Sequence, residues 1–303
     1  MIKVWEKLGL IYEPSSEHPL LFSHATNPLP VYLKDNIFRI FYSARNRDNK
    51  SSVSYIDFDI EKLQVIYIHP EPVFTFGDEK SFYSHGVSIG NCYTDGINNY
   101  ILFMGWQQPA NQHWFGEIGR LQLSENKFLK LNPEIPFLKL DSDDPISLSY
   151  PFVLFHENIY KMWYGSTIDW HSENGEMVHV IKFATSSDGV HWNKKGTAIP
   201  FQIGVAQAFS RPTVLFDEEG FHMWYSYRSG SGIPYRIGYA VSKDGLTWEN
   251  KINEVGIDVS AAGWDSEMIC YPFVFDFKGR RFMLYNGNGY GKNGFGLAVQ
   301  KID

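Results

Sequence analysis

Side chains able to do chemistry recur in this chain as short clusters of two kinds. One kind reads His24-Ala-Thr-Asn27, Ser84-His85, Ser147-Leu-Ser149, Gln207-Ala-Phe-Ser-Arg211 and Trp264-Asp-Ser-Glu267. The other reads Arg45-Asn-Arg47, Trp106-Gln-Gln108, Thr167-Ile-Asp-Trp170, Tyr227-Arg228 and Asn286-Gly-Asn-Gly-Tyr290. Asp265 and Glu267 are two apart, so an extended segment points both the same way, and one carboxyl could hold the other neutral. That makes Glu267 the first candidate proton donor, with Asp265 and Asp169 as further catalytic carboxylates. The competing reading pairs them structurally with Arg211 or Arg228. His85 is the fourth catalytic candidate, and His24 and His85 could also bind hydroxyls or a phosphate; packing beside a strand is their ordinary use.

Arg45, Arg211 and Arg228 could each hold a phosphate or carboxylate through two N–H groups. Three arginines facing one axis repel each other unless acids or a ligand neutralise them. Trp106 and Trp170 are candidate stacking platforms for a sugar, or rim packing. The amides of Asn27, Gln207, Asn286 and Asn288 suit hydroxyl groups. Cys92 and Cys270 are far apart, with no Cys-x-x-Cys or Cys/His cluster, so they read as reduced, buried thiols, and zinc or any other metal is not expected.

These clusters need a scaffold that brings them together, and the sequence supplies one by repetition. Phe209 to Trp248 gives three β-branched and aromatic runs separated by turn residues, the pattern of consecutive antiparallel strands. The same text returns from Pro151 to Trp192 and from Pro272 onward. Pro151, Pro212 and Pro272 are 61 and 60 residues apart, so the chain is an array of equal units. Two more divergent units run from Pro28 to about His69 and from Ser84 to about Phe137. Trp5-Glu-Lys-Leu-Gly-Leu-Ile11 matches the outer-strand segment after Trp192, while the last unit stops after its third strand. The N-terminal segment is therefore expected to supply the missing strand, closing a ring without open edges.

The expected fold is all-β: one five-bladed β-propeller domain spanning residues 1–303, of four-stranded antiparallel blades, with the N-terminal strand closing the last. The start of a blade's first strand and the end of its second share one sheet edge, so the two kinds of cluster should face the same side of the ring as a polar, aromatic-rimmed funnel. The opposite edge carries ordinary turns such as Asp217-Glu-Glu-Gly220. The Ser-x-Asp-Gly-x-x-Trp turns ending at Trp192 and Trp248 read as structural.

Aromatic residues make up 17% of the chain, more than usual, and filler between small sheets accounts for most of them. A formal net charge of −7 without any Lys/Arg run argues against nucleic acid or an anionic membrane as partner. No secretory h-region or apolar run of spanning length is present, so a cytoplasmic protein is expected.

The five-fold repeat, the Tyr-Pro-Phe-Val and Arg-Pro-Thr-Val strand openings, the Met-Trp-Tyr-Gly/Ser second strands and the Ser-x-Asp-Gly-x-x-Trp turns together resemble a known group. It is the five-bladed propeller carbohydrate-active enzymes: arabinanases, levansucrases, invertases and mannoside phosphorylases. The resemblance spans the chain and specifies the fold better than the activity. It implies carboxylate acid/base chemistry on a glycoside or (phospho)sugar, with an Asp base or nucleophile in the first blade, an Asp that tunes pKa in the second and a Glu donor in the third. The chain departs from this pattern. Asn27 stands where the first Asp is sought, and an amide is neither base nor nucleophile. The second opening has His85 and no acid. Phosphorolysis fits, since phosphate can itself be the nucleophile. The alternative is a catalytically inactive propeller that binds a glycan. No cofactor is expected, and the expected partner is a carbohydrate or sugar phosphate.

Overall fold

A computed structural model describes residues 4–124 and 128–301; the outer bounds of the expected domain lie outside the described residues. The described chain is almost entirely β-structure. Strand β1 (Trp5–Tyr12) is followed by four antiparallel meanders: β2 (Ser23–Lys34), β3 (Ile37–Arg45), β4 (Ser51–Asp59) and β5 (Gln64–Ile68); β6 (Gly86–Thr94), β7 (Asn99–Gln107), β8 (Phe115–Leu123) and β9 (Leu129–Leu131); β10 (Ser147–His156), β11 (Ile159–Asp169), β12 (Val178–Ser186) and β13 (Asn193–Thr197); β14 (Gln207–Asp217), β15 (Gly220–Arg228), β16 (Arg236–Ser242) and β17 (Glu249–Asn250). The last unit is β18 (Cys270–Phe277), β19 (Arg280–Asn286) and β20 (Phe295–Gln300). As expected, β1 completes it, pairing antiparallel to β20 from Trp5 opposite Gln300 to Tyr12 opposite Phe295. A partly buried ion pair fixes this closure: Lys7 Nζ lies 2.7 Å from Asp265 Oδ2, which also accepts from Tyr285 Oη at 3.0 Å.

The first two meanders are joined in one sheet by a single parallel pairing of Ser51 with Gly86. Gly86 permits this approach because a Cβ there would run into the Ser51 hydroxyl and the Trp106 indole. The first strands of the units touch in sequence, β2 on β6, β6 on β10, β10 on β14, β14 on β18, and β18 on β2, so their contacts form a closed cycle. Aromatic side chains fill the space between sheets: Trp163 and Phe183 of one unit pack with Phe209, Phe221 and Trp248 of the next. The Asp-Gly turns lock neighbours together. Gly245 and Gly189, both at positive φ, offer their carbonyls to Trp163 Nε1 at 2.9 Å and Tyr93 Oη at 3.0 Å from the preceding unit.

The repeated proline has a specific consequence. Pro28, Pro151, Pro212 and Pro272 cannot donate to a ladder, and at each the register slips: between Thr26 and Leu29, Ser149 and Phe152, Ser210 and Thr213, and Cys270 and Phe273. The preceding residues, Asn27, Tyr150, Arg211 and Tyr271, take left-handed φ of 56°, 36°, 49° and 52°. Each is therefore a bulge that re-aims its side chain.

Arg211 shows what this does. It is 2% exposed, and its guanidinium donates to the Tyr271 carbonyl at 2.7 Å and the Pro28 carbonyl at 2.9 Å, tying three first strands together. Burial lowers its pKa to about 9. Replacing it by Met should leave these carbonyls without donors and cost about 3 kcal/mol, read as a lower urea midpoint at unchanged m-value. A second buried group sets acid sensitivity. The His179 ring sits between Ser149 Oγ and Thr167 Oγ1, each at 2.6 Å, and burial depresses its pKa from 6.5 to about 3. The unfolded chain takes up this proton first, so the His179 contribution is complete above about pH 6.5 and drains away as pH falls towards 3. Thermal unfolding against pH should show that acid limb, and His179→Gln should make it shallower.

Candidate functional site

The units enclose an axial cavity of about 490 Å³. Two of the left-handed bulge residues, Tyr150 and Tyr271, line it with Tyr235 and Tyr290 as one aromatic wall; the Tyr150 and Tyr271 ring centroids are 5.6 Å apart. Burial raises the pKa of Tyr271 and Tyr235, so both remain hydroxyl donors. Asn27, the third bulge residue in the lining, is 1% exposed. Its Nδ2 donates to Thr26 Oγ1 at 3.1 Å, while its Oδ1 is buried without a partner.

One carboxylate lines this cavity among the described residues, and it is Glu176. It sits in the loop between β11 and β12, 6% exposed, with Oε1 accepting from Arg228 Nη2 at 2.8 Å and from the Met177 N–H at 2.9 Å. Arg228 also lies over the Tyr235 ring, 4.6 Å from its centroid, and its Nε is buried without a partner. The loop is held from beneath by Gln207, whose Oε1 accepts from Asn174 Nδ2 at 2.7 Å and whose Nε2 donates to the Met177 carbonyl at 3.2 Å. Gln207 thus positions the Glu176 loop; its side chain is consumed and does not line the cavity.

Arg45 and Trp106 line the cavity as expected. Arg45 Nη1 donates to Asn49 Oδ1 at 2.7 Å, and Trp106 Nε1 to Ser51 Oγ at 3.0 Å. The mouth is formed by His113, Trp114, Trp170 and His171. The His113 ring stacks on Trp170 at 4.7 Å, Trp114 meets Trp170 edge-on at 4.9 Å, and His113 Nε2 lies 3.0 Å from His171 Nε2.

Other expected site residues stand outside the lining. His24 and His85 are half-buried and do not line it. His24 Nδ1 is 2.9 Å from Ser23 Oγ, and burial followed by the charges of Arg45 and Lys292 lowers its pKa to about 4. His85 lies 5.8 Å from the Trp106 ring, and burial with the nearby Lys50 lowers its pKa as well. Arg211 lies below, engaged with carbonyls as described. Asn286 fastens the ring, accepting from the Asn27 N–H at 2.9 Å and donating to the Ala25 and Gly294 carbonyls at 2.7 and 2.8 Å.

The expected placement of Asp265 and Glu267 together in the funnel is corrected. Asp265 is buried against Lys7 and Tyr285 at the ring closure, whereas Glu267 is exposed. The segment is not a strand: it precedes β18 and is pinned by Asn288, whose Oδ1 accepts from the Glu267 and Met268 N–H groups at 2.8 and 3.1 Å. Alternation therefore does not apply. Asn288 is spent on that loop, and exposed Asp169 caps a turn through the His171 N–H at 2.9 Å. The Asp217, Glu219 and His222 side chains lie close enough for a metal ion, but away from the cavity. His222 there bonds Asp217 at 2.8 Å and Tyr239 at 2.6 Å.

Sequence reasoning missed Glu176, Tyr150, Tyr235 and Tyr271. Position immediately before the repeated proline marks Tyr150 and Tyr271; nothing in Ser172-Glu-Asn-Gly-Glu176 distinguishes its two acids. Chemically, the cavity can stack a sugar ring, hydrogen-bond hydroxyls and offer one carboxylate. Hydrolysis by two carboxylates finds no second acid among the described lining residues.

No protein-family model matches the chain. It is 40% identical over 297 residues, 97% of its own length and 98% of theirs, to the Mycobacterium tuberculosis proteins named Uncharacterized protein MT1551 and Uncharacterized protein Rv1502. Among solved structures, one titled Glycoside hydrolase has a TM-score of 0.79 at 13% identity, covering 100% of this chain and 93% of that one. A glycosyl hydrolase from Bacteroides ovatus has a TM-score of 0.74 at 13% identity, covering 99% and 94%. A structure described under the GH130 family of mannoside phosphorylases has a TM-score of 0.69 at 12% identity, again covering 99% and 94%. At such identities the likeness is one of fold. The chain belongs to the family of the Mycobacterium tuberculosis protein Rv1502 and shares the fold of the propeller glycoside hydrolase-like superfamily.

Proposed function

We propose that the protein is a carbohydrate-active enzyme, a single domain of five blades, that acts on a glycoside or phosphorylated sugar in its axial cavity, with Glu176 as the acid/base carboxylate. The five-blade reading is supported by the closed cycle of first-strand contacts and by the single pairing that joins the first two meanders. The observation that carries the function is the position of Glu176: a buried carboxylate, held by Gln207 and balanced by Arg228, facing a cavity walled by tyrosines and rimmed by Trp170. Polar groups converging on aromatic faces are what a polyhydroxylated ring requires. A carboxylate within reach of a bound ligand is a group that can accept a proton from an attacking water or hydroxyl.

The second reading is a propeller that binds a glycan without turning it over. It is favoured by one observation: the single lining carboxylate is already engaged by Arg228. Glu176→Gln keeps shape and removes the base. Turnover of a panel of aryl glycosides and sugar phosphates should fall by about 10²- to 10⁴-fold while sugar affinity persists. Sugar binding with no turnover by wild type would establish the second reading instead. Trp170→Ala should weaken sugar binding about tenfold, the scale of a lost aromatic face, with an unchanged unfolding midpoint, as measured by titration calorimetry and thermal melts.

A further inference from the structure

The three arginines expected at the axis meet different fates. Arg228 is balanced by Glu176, and Arg211 is held by backbone carbonyls. Arg45 has neither. It lines the cavity half-buried, and its guanidinium donates to a neutral amide, Asn49 Oδ1 at 2.7 Å, which fixes the guanidinium without cancelling its charge. Among the described residues no ion pair joins Arg45 to an acid. Most of the charges around it have the same sign. Arg47 lies over the Phe22 ring at 4.0 Å and Lys50 near the Phe76 ring at 4.9 Å. Neither they nor Lys292 form an ion pair among the described residues, and Asp48, in the same turn, is exposed and unpaired with them. The charged lining residues are thus two arginines and one glutamate, a formal surplus of one positive charge, in a protein whose net charge is −7. The field reaches the neighbouring histidines: after burial, Arg45 and Lys292 depress His24, and Lys50 depresses His85. The same lining holds the buried, unpartnered Asn27 Oδ1, an acceptor that the fold leaves unused.

We propose that the ligand of this cavity is an anionic sugar, whose phosphate or carboxylate seats against Arg45 and one of whose hydroxyls donates to Asn27 Oδ1. This rests on the carbohydrate reading above and narrows its substrate class. A guanidinium pre-positioned by a neutral amide keeps both its charge and its planar donor fork for an oxyanion. An unpartnered buried acceptor favours a ligand that brings a donor to it.

The test is titration calorimetry on the full chain, at low and at physiological ionic strength. The probes are methyl glucoside, glucose 6-phosphate, glucuronate and methyl phosphate; the proteins are wild type, Arg45→Gln and Asn49→Ala, each checked for folding by its thermal melt. At least one anionic sugar is expected to bind about tenfold or more tighter than methyl glucoside, with the ratio shrinking as salt rises. Arg45→Gln should bring the ratio close to one and Asn49→Ala part of the way. Phosphate and carboxylate are separated by which sugar shows the preference. Equal affinity for neutral and anionic sugars, or a preference that survives Arg45→Gln, overturns the anionic subsite and leaves the carbohydrate reading standing. Methyl phosphate binding as tightly as glucose 6-phosphate overturns the proposal as stated, because the anion site would remain without a sugar. Failure of every anionic probe to bind overturns it also.

Discussion

A proline in an inner strand has no N–H to give the ladder, and much of the axial architecture follows from how the chain absorbs that loss. At Pro28, Pro151, Pro212 and Pro272 the preceding residue turns left-handed and the register slips. The bulge has two consequences. Asn27, Tyr150 and Tyr271 enter the cavity lining, and backbone carbonyls near the bulges need donors from elsewhere. Arg211, itself a bulge residue, answers the second need by bonding the carbonyls of Tyr271 and Pro28 in two other units. One repeated covalent constraint thereby shapes the cavity floor and holds three units in register.

The site above that floor is built from strand ends and loops, and its electrostatics are uneven. Gln207 fixes the loop that presents Glu176, and Glu176 balances Arg228. On the side of β3, Arg45 keeps an unbalanced charge on a neutral amide tether. A cavity with one satisfied pair and one spare cation discriminates between ligands by charge before it discriminates by shape. The stacked His113 and Trp170 at the mouth supply an apolar face that such a ligand also needs.

Most of the strand order was legible in the sequence because repetition is insensitive to local error. The N-terminal strand was placed correctly against the last unit, since the match between residues 5–11 and an outer strand is a whole-segment comparison. Individual site residues were harder. The alternation argument put Asp265 and Glu267 on one face, but their segment is a loop pinned by Asn288, and Asp265 meets Lys7 from the far end of the chain. Asn286 and Gln207 were recognised as hydrogen-bonding amides, yet backbone and loop partners claim them. Glu176 went unrecognised because its burial depends on Arg228, 52 positions away, in the next unit. The proline spacing did contain the signal for Tyr150 and Tyr271, since the residue before a bulge-forming proline is the one re-aimed.

The central claim is that a sugar occupies the axial cavity, and a crystal structure of the protein soaked with glucose 6-phosphate tests it most directly. Density for the sugar between Trp170 and the Glu176–Arg228 pair, with its phosphate on Arg45, is the predicted result. A ligand bound on the outer faces of the sheets, with the axial cavity filled only by water, would contradict it.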